Sequence, residues 1–158
     1  MILSRTSQYA IQALIYMATQ PPGVAILNRT IAEKLGVSPT YLAKILQNLS
    51  RFNLLYSFRG KQGGFCLREE GNKTNLLQIV LVTEGSGIKE ECVLGFKVCS
   101  DKKPCLMHTQ WSPIRKEIVK LLQNQNLEFM AAAVLSGKYL LSELPAVALD
   151  RKKQRTKV

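Results

Sequence analysis

The sequence predicts a mainly α-helical protein with one small β-hairpin, arranged as a winged helix-turn-helix and followed by a long dimerisation helix. Three observations support this fold class. Apolar residues recur at helical spacing in three segments of residues 7–52. A glycine separates the second segment from the third, and a basic, glycine-rich hairpin follows the third segment.

The first helix is predicted over residues 7–19, where the helical apolar pattern continues until two consecutive prolines interrupt it. A second, short helix ends at Gly36. The third helix begins after Ser38, which can act as N-cap, and Pro39 suits its first position. Its apolar stripe consists of Leu42, Ile45, Leu46 and Leu49.

Two short strands, residues 54–58 and 65–67, are predicted after the third helix. The segment between them contains three glycines together with Arg59 and Lys61, which is typical of a hairpin tip. Residues 1–71 therefore form the predicted DNA-binding domain.

The second half of the chain begins with a helix predicted over residues 76–82, with Thr74 as its cap. Residues 84–107 lack periodicity, and a loop of this length usually binds something. An amphipathic helix follows, and we expect a partner subunit to cover its apolar stripe, which consists of Ile114, Ile118, Leu121 and Leu122.

These elements divide the chain into four predicted parts. The DNA-binding domain is followed by a connecting helix and cysteine-bearing loop at 72–108. The dimerisation helix and a C-terminal extension occupy 109–148, and a basic tail, expected to be disordered, occupies 149–158.

The composition indicates a globular protein with a polyanionic partner. Charged residues make up 21% of the chain and hydrophobic residues 46%, a balance that argues against wholesale disorder. The net charge is +11, and residues 1–71 contribute +5 of it, with eight basic and three acidic side chains. Double-stranded DNA is therefore the expected partner. No apolar stretch approaches the roughly 20 residues of a membrane span, so we expect a cytoplasmic protein without membrane attachment.

Polar positions opposite the leucine stripe are candidates for DNA contact, because the second helix of a helix-turn-helix enters the major groove. Cations of this helix suit phosphates, and an arginine at the wing tip suits a narrow minor groove. For each candidate the alternative is a capping or solvated side chain, and Gln47 and Asn48 are expected to be solvated. The predicted DNA-binding residues are Ser38, Thr40, Tyr41, Lys44, Arg51, Arg59 and Lys61.

Three of the four cysteines, Cys92, Cys99 and Cys105, lie in the long loop, and His108 follows them. Thiolate and imidazole suit iron–sulfur clusters and zinc, and the wide gaps between these cysteines favour a cluster over a structural zinc site. A metal-free set of thiols that forms a reversible disulfide is the alternative. Cys66, between two apolar residues of the second strand, is expected to be a buried apolar side chain.

Four segments follow one another in a recognisable order: YAIQAL at 9–14, LGVS at 35–38, RGKQGGF at 59–65 and TEG at 83–85. With the cysteine loop and the long helix, this order resembles a family of dimeric bacterial regulators that includes IscR, NsrR and RirA. The resemblance covers about residues 1–130. It implies a homodimer on a pseudo-palindromic operator and an iron–sulfur cluster held by the three loop cysteines, with [2Fe–2S] favoured and [4Fe–4S] as the alternative.

The chain departs from this family pattern at three places. The first two loop cysteines are separated by six residues instead of five, an insertion that costs little in a flexible loop. IscR-like members use a histidine as fourth ligand, which matches His108, whereas NsrR-like members use an acidic residue of the first helix, where Gln8 stands. Ala43 stands where IscR-like members carry a recognition-helix glutamate, so their DNA preference does not carry over.

We therefore predict a non-enzymatic DNA-binding transcription regulator, expected to be a repressor, that senses iron–sulfur status, redox state or nitric oxide. The first alternative is a metal-free thiol/disulfide-switch repressor. The second is an iron–sulfur electron carrier or enzyme, which is disfavoured because the sequence offers one histidine and no nucleophile–base arrangement.

Overall fold

The computed structural model describes residues 2–60, 63–139 and 141 of the 158-residue chain. The basic tail predicted at 149–158 and the end of the preceding extension lie outside this range. A mainly helical architecture with one antiparallel hairpin confirms the predicted fold class. The elements are α1 (Arg5–Ala18), α2 (Asn28–Leu35), α3 (Pro39–Arg51), β1 (Leu55–Phe58), β2 (Gly64–Leu67), α4 (Leu76–Glu84), α5 (Gly87–Glu90), α6 (His108–Asn124) and α7 (Leu127–Leu135).

Local hydrogen bonding sets the start of α1, and a glycine sets the end of α2. α1 begins two residues earlier than predicted, because the Ser4 side chain accepts a hydrogen bond from the backbone N–H of Ser7 at 3.2 Å. Gly36 ends α2 in a left-handed conformation with φ of 64°. The tight connection to α3 that this glycine permits is the turn of the helix-turn-helix.

The starts of α3 and α4 differ from the predicted caps. Ser38 occupies the N-cap position of α3, but among the described residues its side chain makes no capping hydrogen bond. Thr74 was the wrong cap for α4: the N-cap is Asn75, which exchanges two hydrogen bonds of 2.9 Å with Gln78. This reciprocal capping box satisfies two backbone donors at once, which a lone threonine cannot do.

The wing is the antiparallel hairpin of β1 and β2, with Phe58 opposite Gly64 at the tip. A third segment, absent from the prediction, extends it: Ile26 and Phe65 exchange backbone hydrogen bonds of 2.8 and 2.9 Å. Gly64 makes this approach possible, since a Cβ atom there would overlap the carbonyl of Ile26. The wing is therefore tied to the chain between α1 and α2.

A single apolar core joins α1, α3, α4 and α7. Its centre consists of side chains with no exposed surface, including Leu14, Leu49, Ile79 and Leu127. Each such burial stabilises the fold by about 1.5–3 kcal/mol. Two backbone hydrogen bonds join the start of α4 to the connection between α6 and α7. The N–H of Leu76 donates to the carbonyl of Gln125 at 2.9 Å, and the N–H of Leu127 donates to the carbonyl of Thr74 at 3.0 Å. The connection between α6 and α7 is thereby held against the start of α4.

Only part of the predicted apolar stripe of α6 lies outside this core: Leu122 is buried within the chain and Ile118 packs against the core, so neither needs a partner subunit to cover it. The Ile114 and Leu121 side chains are 53% and 60% exposed, and Phe129 of α7 is 62% exposed. An apolar surface of this kind on a helix is typical of an interaction surface. None of the described helices is long and apolar enough to cross a membrane.

Candidate nucleic-acid interface and candidate metal centre

Exposed polar side chains form one stripe on α3, opposite its buried leucines. Thr40, Lys44 and Arg51 are exposed and follow one another at helical spacing, and Ser38 is exposed at the start of the helix. α3 therefore presents hydroxyl groups at its N-terminal end and two positive charges further along. This arrangement suits a helix whose start approaches base edges while its cations approach phosphates.

Tyr41 belongs to the same surface but is held by α1. Its hydroxyl lies 2.8 Å from Oγ1 of Thr6, and its ring meets that of Tyr9 edge to face, with centroids 6.1 Å apart. The side chain remains 38% exposed. The bond to Thr6 uses one hydrogen-bonding position of the hydroxyl, so Tyr41 can offer DNA a further hydrogen bond from that group as well as the exposed part of its ring.

The wing tip carries Arg59, which is exposed. Beside it the N–H of Gly63 donates to the carbonyl of Gly60 at 2.9 Å. Lys61, the second predicted wing cation, lies outside the described residues.

Asn48 lies on α3 but outside its exposed stripe. The prediction of a solvated side chain is wrong here: Asn48 is half-buried, and its amide donates to the carbonyl of Val82 at 3.2 Å. Val82 lies in the last turn of α4, where backbone carbonyls have no helical partner. The bond therefore ties the predicted recognition helix to the end of α4.

A second set of bonds ties the same turn of α4 to α1. The fully buried Ser7 hydroxyl contacts Oγ1 of Thr83 at 2.5 Å and the carboxylate of Glu84, which also accepts from the N–H of Ser4 at 2.8 Å. Partial burial alone would raise the pKa of Glu84, but the bonds from Ser7 and Ser4 outweigh it and lower that pKa. We call these contacts, together with Asn48–Val82, the α4 junction.

The three loop cysteines converge at one point of the structure. Their Sγ atoms all lie within 4.8 Å of one another, and those of Cys92 and Cys105, thirteen positions apart in sequence, are separated by 3.4 Å. Each of these thiols is half-buried, whereas Cys66 is buried in the wing, as predicted, and takes no part.

His108, the first residue of α6, adjoins the three thiols. Its Nδ1 lies 3.2 Å from Cys99 Sγ, and its Nε2 lies 2.8 Å from Oδ1 of Asp101. The bond with His108 lowers the pKa of the Asp101 carboxyl. The structure thus brings the four predicted ligands together and adds Asp101, which the sequence analysis missed.

The loop thiols differ in acidity. Burial opposes ionisation of Cys92, but hydrogen bonds from the backbone of Leu94 and Phe96 and from the neighbouring thiols lower its pKa to about 7. At Cys99 a backbone hydrogen bond from Cys105 favours the thiolate, yet burial and the adjacent thiols outweigh it and raise the pKa. A metal group would have to displace the protons that remain.

The start of the cysteine loop is fastened to α6. The indole N–H of Trp111 donates to the carbonyl of Glu91 at 3.2 Å. Arg115 donates to the carbonyls of Glu90 and Glu91 at 2.9 and 3.0 Å. The short helix α5 precedes this point, so residues 84–107 are less irregular than predicted. α6 therefore holds the residue before Cys92 near its middle and His108 at its start.

The donor set suits a soft or borderline metal group. Three sulfur donors and one imidazole nitrogen are typical ligands of iron–sulfur clusters and of zinc, whereas magnesium and calcium take oxygen ligands. The convergence of these donors, half-buried and within reach of one another, fits a bound cluster.

Comparison with known proteins identifies the family. The model of the Rrf2 family, described as an iron-dependent transcriptional regulator, matches residues 3–133. The chain belongs to the Rrf2 family. A relative, protein aau3 of Rhizobium meliloti, is 36% identical over 142 residues, which cover 89% of this chain and 92% of that protein. The HTH-type transcriptional regulator IscR of Pectobacterium atrosepticum is 27% identical over 128 residues, covering 81% and 77% respectively.

Solved structures of regulators share the Rrf2 fold seen here. CymR, the global cysteine regulator of B. subtilis, has a TM-score of 0.69 at 25% identity and covers 83% of this chain and 96% of its own. T. potens IscR has the same TM-score and identity and covers 87% and 91%. This Rrf2 chain is therefore a transcription regulator with a DNA-binding winged helix, and its predicted resemblance to the IscR-containing family is confirmed.

Proposed function

We propose that this Rrf2 protein binds a pseudo-palindromic operator as a homodimer, and that an iron–sulfur cluster held by Cys92, Cys99, Cys105 and His108 sets its DNA affinity. The observation that carries the proposal is the convergence of three thiols within 4.8 Å, with an imidazole nitrogen 3.2 Å from one of them. The description of the family as iron-dependent and the presence of IscR among the relatives favour iron over zinc.

The cluster would supply a centre that changes oxidation state or is degraded by oxidants and nitric oxide. The three thiolates would bind it, and the positive charges of Lys97, Lys102 and Lys103 would offset their negative charge. Only residues 85–91 separate Cys92 from the α4 junction. A change in how the thiols are held would therefore reach α3 through a short covalent path and the Asn48–Val82 bond.

Of the two fourth ligands that the resemblance implies, His108 has the support of geometry. Gln8 stands at the alternative position in α1, where its amide donates to the carbonyl of Leu3 at 3.1 Å. A neutral amide is also a weaker ligand than imidazole for iron. A [2Fe–2S] cluster is the favoured form, and a [4Fe–4S] cluster is the alternative.

The proposed DNA contacts divide by element. Ser38, Thr40 and Tyr41 at the start of α3 would face base edges, and Lys44 and Arg51 would neutralise phosphates. Arg59 and Lys61 would place the wing in a minor groove. The exposure of the described members of this set and the net charge of residues 1–71 support the assignment.

The exposed stripe of α6 and α7 supports the homodimer. A pseudo-palindromic operator requires two copies related by twofold symmetry. Ile114, Leu121 and Phe129 would form the apolar centre of that interface, because each is more than half exposed in the single chain.

Anaerobic purification tests the proposed cluster. We expect a coloured protein with visible absorbance and bound iron and sulfide, and loss of that absorbance when Cys92, Cys99 or Cys105 is replaced with alanine. Cys66→Ala is the matched control, since it removes a thiol that is buried in the wing. A wild type that stays colourless after reconstitution with iron and sulfide would contradict the proposal.

A second measurement tests whether the cluster controls DNA binding. Operator affinity is compared between cluster-loaded protein and protein from which a chelator has removed the iron, at one fixed salt concentration. We expect the two affinities to differ. Equal operator occupancy with an intact, damaged or absent cluster would show that the cluster does not control DNA binding, and the protein would then be a transcription regulator without the proposed sensing function.

A metal-free thiol switch is the second candidate function. The 3.4 Å separation of the Cys92 and Cys105 sulfurs favours it, because a small movement would bring them to the roughly 2.05 Å of a disulfide. The disulfide would form as both thiols lose their protons and two electrons pass to an oxidant such as a peroxide. A reversible disulfide by mass spectrometry, in protein that never binds iron, would favour this candidate over the cluster.

A further inference from the structure

We propose that Asp101 is a positioning residue for His108: its carboxylate accepts the Nε2 proton of the ring and so leaves Nδ1 unprotonated and directed at the cysteine site. This inference rests on the proposed function, in which His108 is the fourth ligand. It adds a residue that neither the cysteine pattern nor the family resemblance indicates.

The positions of the ring protons follow from the two partners of His108. A carboxylate can only accept a hydrogen bond, so the 2.8 Å contact with Asp101 Oδ1 requires a proton on Nε2. A neutral imidazole carries one ring proton, so Nδ1 keeps its lone pair. Nδ1 faces Cys99 Sγ at 3.2 Å, where a thiol can donate to it. With its ring neutral, the metal-free molecule therefore holds the tautomer that ligation through Nδ1 needs.

A turn in the loop places Asp101 beside the ring. The backbones of Ser100 and Lys103 exchange hydrogen bonds of 3.2 and 3.1 Å, and Asp101 lies within the turn that these bonds close. The backbone N–H of His108 donates to the carbonyl of Cys105 at 3.0 Å, which fixes the other end of the arrangement. Both partners are thus held by backbone contacts of the segment that carries Cys99 and Cys105.

The burial of the two side chains separates their roles. The His108 side chain is 13% exposed and the Asp101 side chain is 92% exposed. An exposed carboxylate contributes little to stability through charge alone. Its effect lies in holding the ring, and carboxylates that hold ligating histidines typically change metal affinity 10- to 100-fold when they are removed.

The first test needs no cluster. His108 is the only histidine of the chain, so the imidazole ¹⁵N signals of the reduced, iron-free protein at alkaline pH come from one ring. We expect the Nε2-protonated tautomer alone in the wild type and a mixture with the Nδ1-protonated tautomer in Asp101→Ala. Glu117→Ala, which removes an exposed carboxylate from α6, should match the wild type. The same tautomer distribution in wild type and Asp101→Ala would overturn the inference.

The second test uses the cluster-loaded protein. Asp101→Ala should alter the visible spectrum and speed the loss of absorbance to a chelator roughly 10- to 100-fold. In a His108→Ala background it should have no further effect, because Asp101 acts only through the ring. Independent, additive effects in the double variant would contradict a positioning role.

The outcomes distinguish this inference from the proposed function. A coloured wild type whose spectrum and cluster lifetime are unchanged by Asp101→Ala would refute the inference alone. A wild type that stays colourless after reconstitution would refute the proposed function and the inference together.

Discussion

Replacing Asn48 with alanine should detach α3 from the end of α4, lowering stability and uncoupling DNA binding from the cysteine loop. The Asn48 amide donates to the carbonyl of Val82 at 3.2 Å, and only the seven residues 85–91 lie between the end of the α4 junction and Cys92. Alanine removes the amide donor, so the Val82 carbonyl loses this protein partner and can be hydrogen-bonded only by water that reaches the site.

The magnitude follows from two opposing contributions. Leaving a buried acceptor without its partner costs about 1–3 kcal/mol, and the half-burial of Asn48 favours the lower part of that range because water can reach the site. Alanine returns roughly 0.6 kcal/mol through its higher helix propensity. The net loss is about 1 kcal/mol, which lowers the Tm of a protein of this size by about 2–4 °C.

Urea unfolding of wild type, Asn48→Ala and Gln47→Ala measures this difference. Gln47 is the exposed neighbour on the same helix, and its replacement should change the free energy of unfolding by less than roughly 0.5 kcal/mol. In Asn48→Ala the ratio of operator affinities between cluster-loaded and cluster-free protein should also move toward one. Equal unfolding midpoints for the two variants would refute the energetic argument, and an unchanged affinity ratio would refute the coupling.

Three further predictions concern separate parts of the molecule. Glu84→Gln should remove a stabilising contribution that is fully present above pH 4.5, the ordinary pKa of the carboxyl group, and is lost as the pH falls through the lowered pKa of the folded state. Urea unfolding midpoints of wild type and variant across acid pH check this, and a difference between the two midpoints that does not change with pH would contradict it. Arg59→Ala should lower the salt slope of DNA binding by about 0.9 and weaken some wing-site sequences more than others. Fluorescence anisotropy measures both, and a uniform loss would make Arg59 a phosphate contact only. Leu121→Lys should give a monomer by sedimentation while Lys120→Ala keeps the dimer; a dimeric Leu121→Lys protein would exclude α6 as the interface.

The winged helix-turn-helix could be predicted because its signals are local. Each element can be predicted from a few neighbouring residues: α3 from its leucine stripe, the end of α2 from its glycine and the wing from its glycine-rich segment. The cysteine site was predictable as a set of donors, because thiols and imidazole have few other uses in one loop. The pattern contains no information on the turns that bring Cys92 to within 3.4 Å of Cys105.

The residues that the sequence analysis missed act through partners elsewhere in the chain. Asn48 and Val82 are 34 positions apart, so no periodicity links them, and a polar residue on an exposed helix is solvated by default. Ile26 joins the wing only because Gly64 admits its backbone. Asp101 was within reach of prediction, since it lies seven positions before His108 in a loop already assigned to metal binding.

Trp111 provides a built-in optical probe of the proposed sensor. It is the only tryptophan of the chain, and its indole N–H is bonded to the carbonyl of Glu91, the residue before Cys92. Indole emission shifts in wavelength and intensity when such a bond breaks and the ring becomes wetter. The native fluorescence of the unlabelled protein should therefore report whether this bond between the loop and α6 persists when the proposed cluster is loaded or removed.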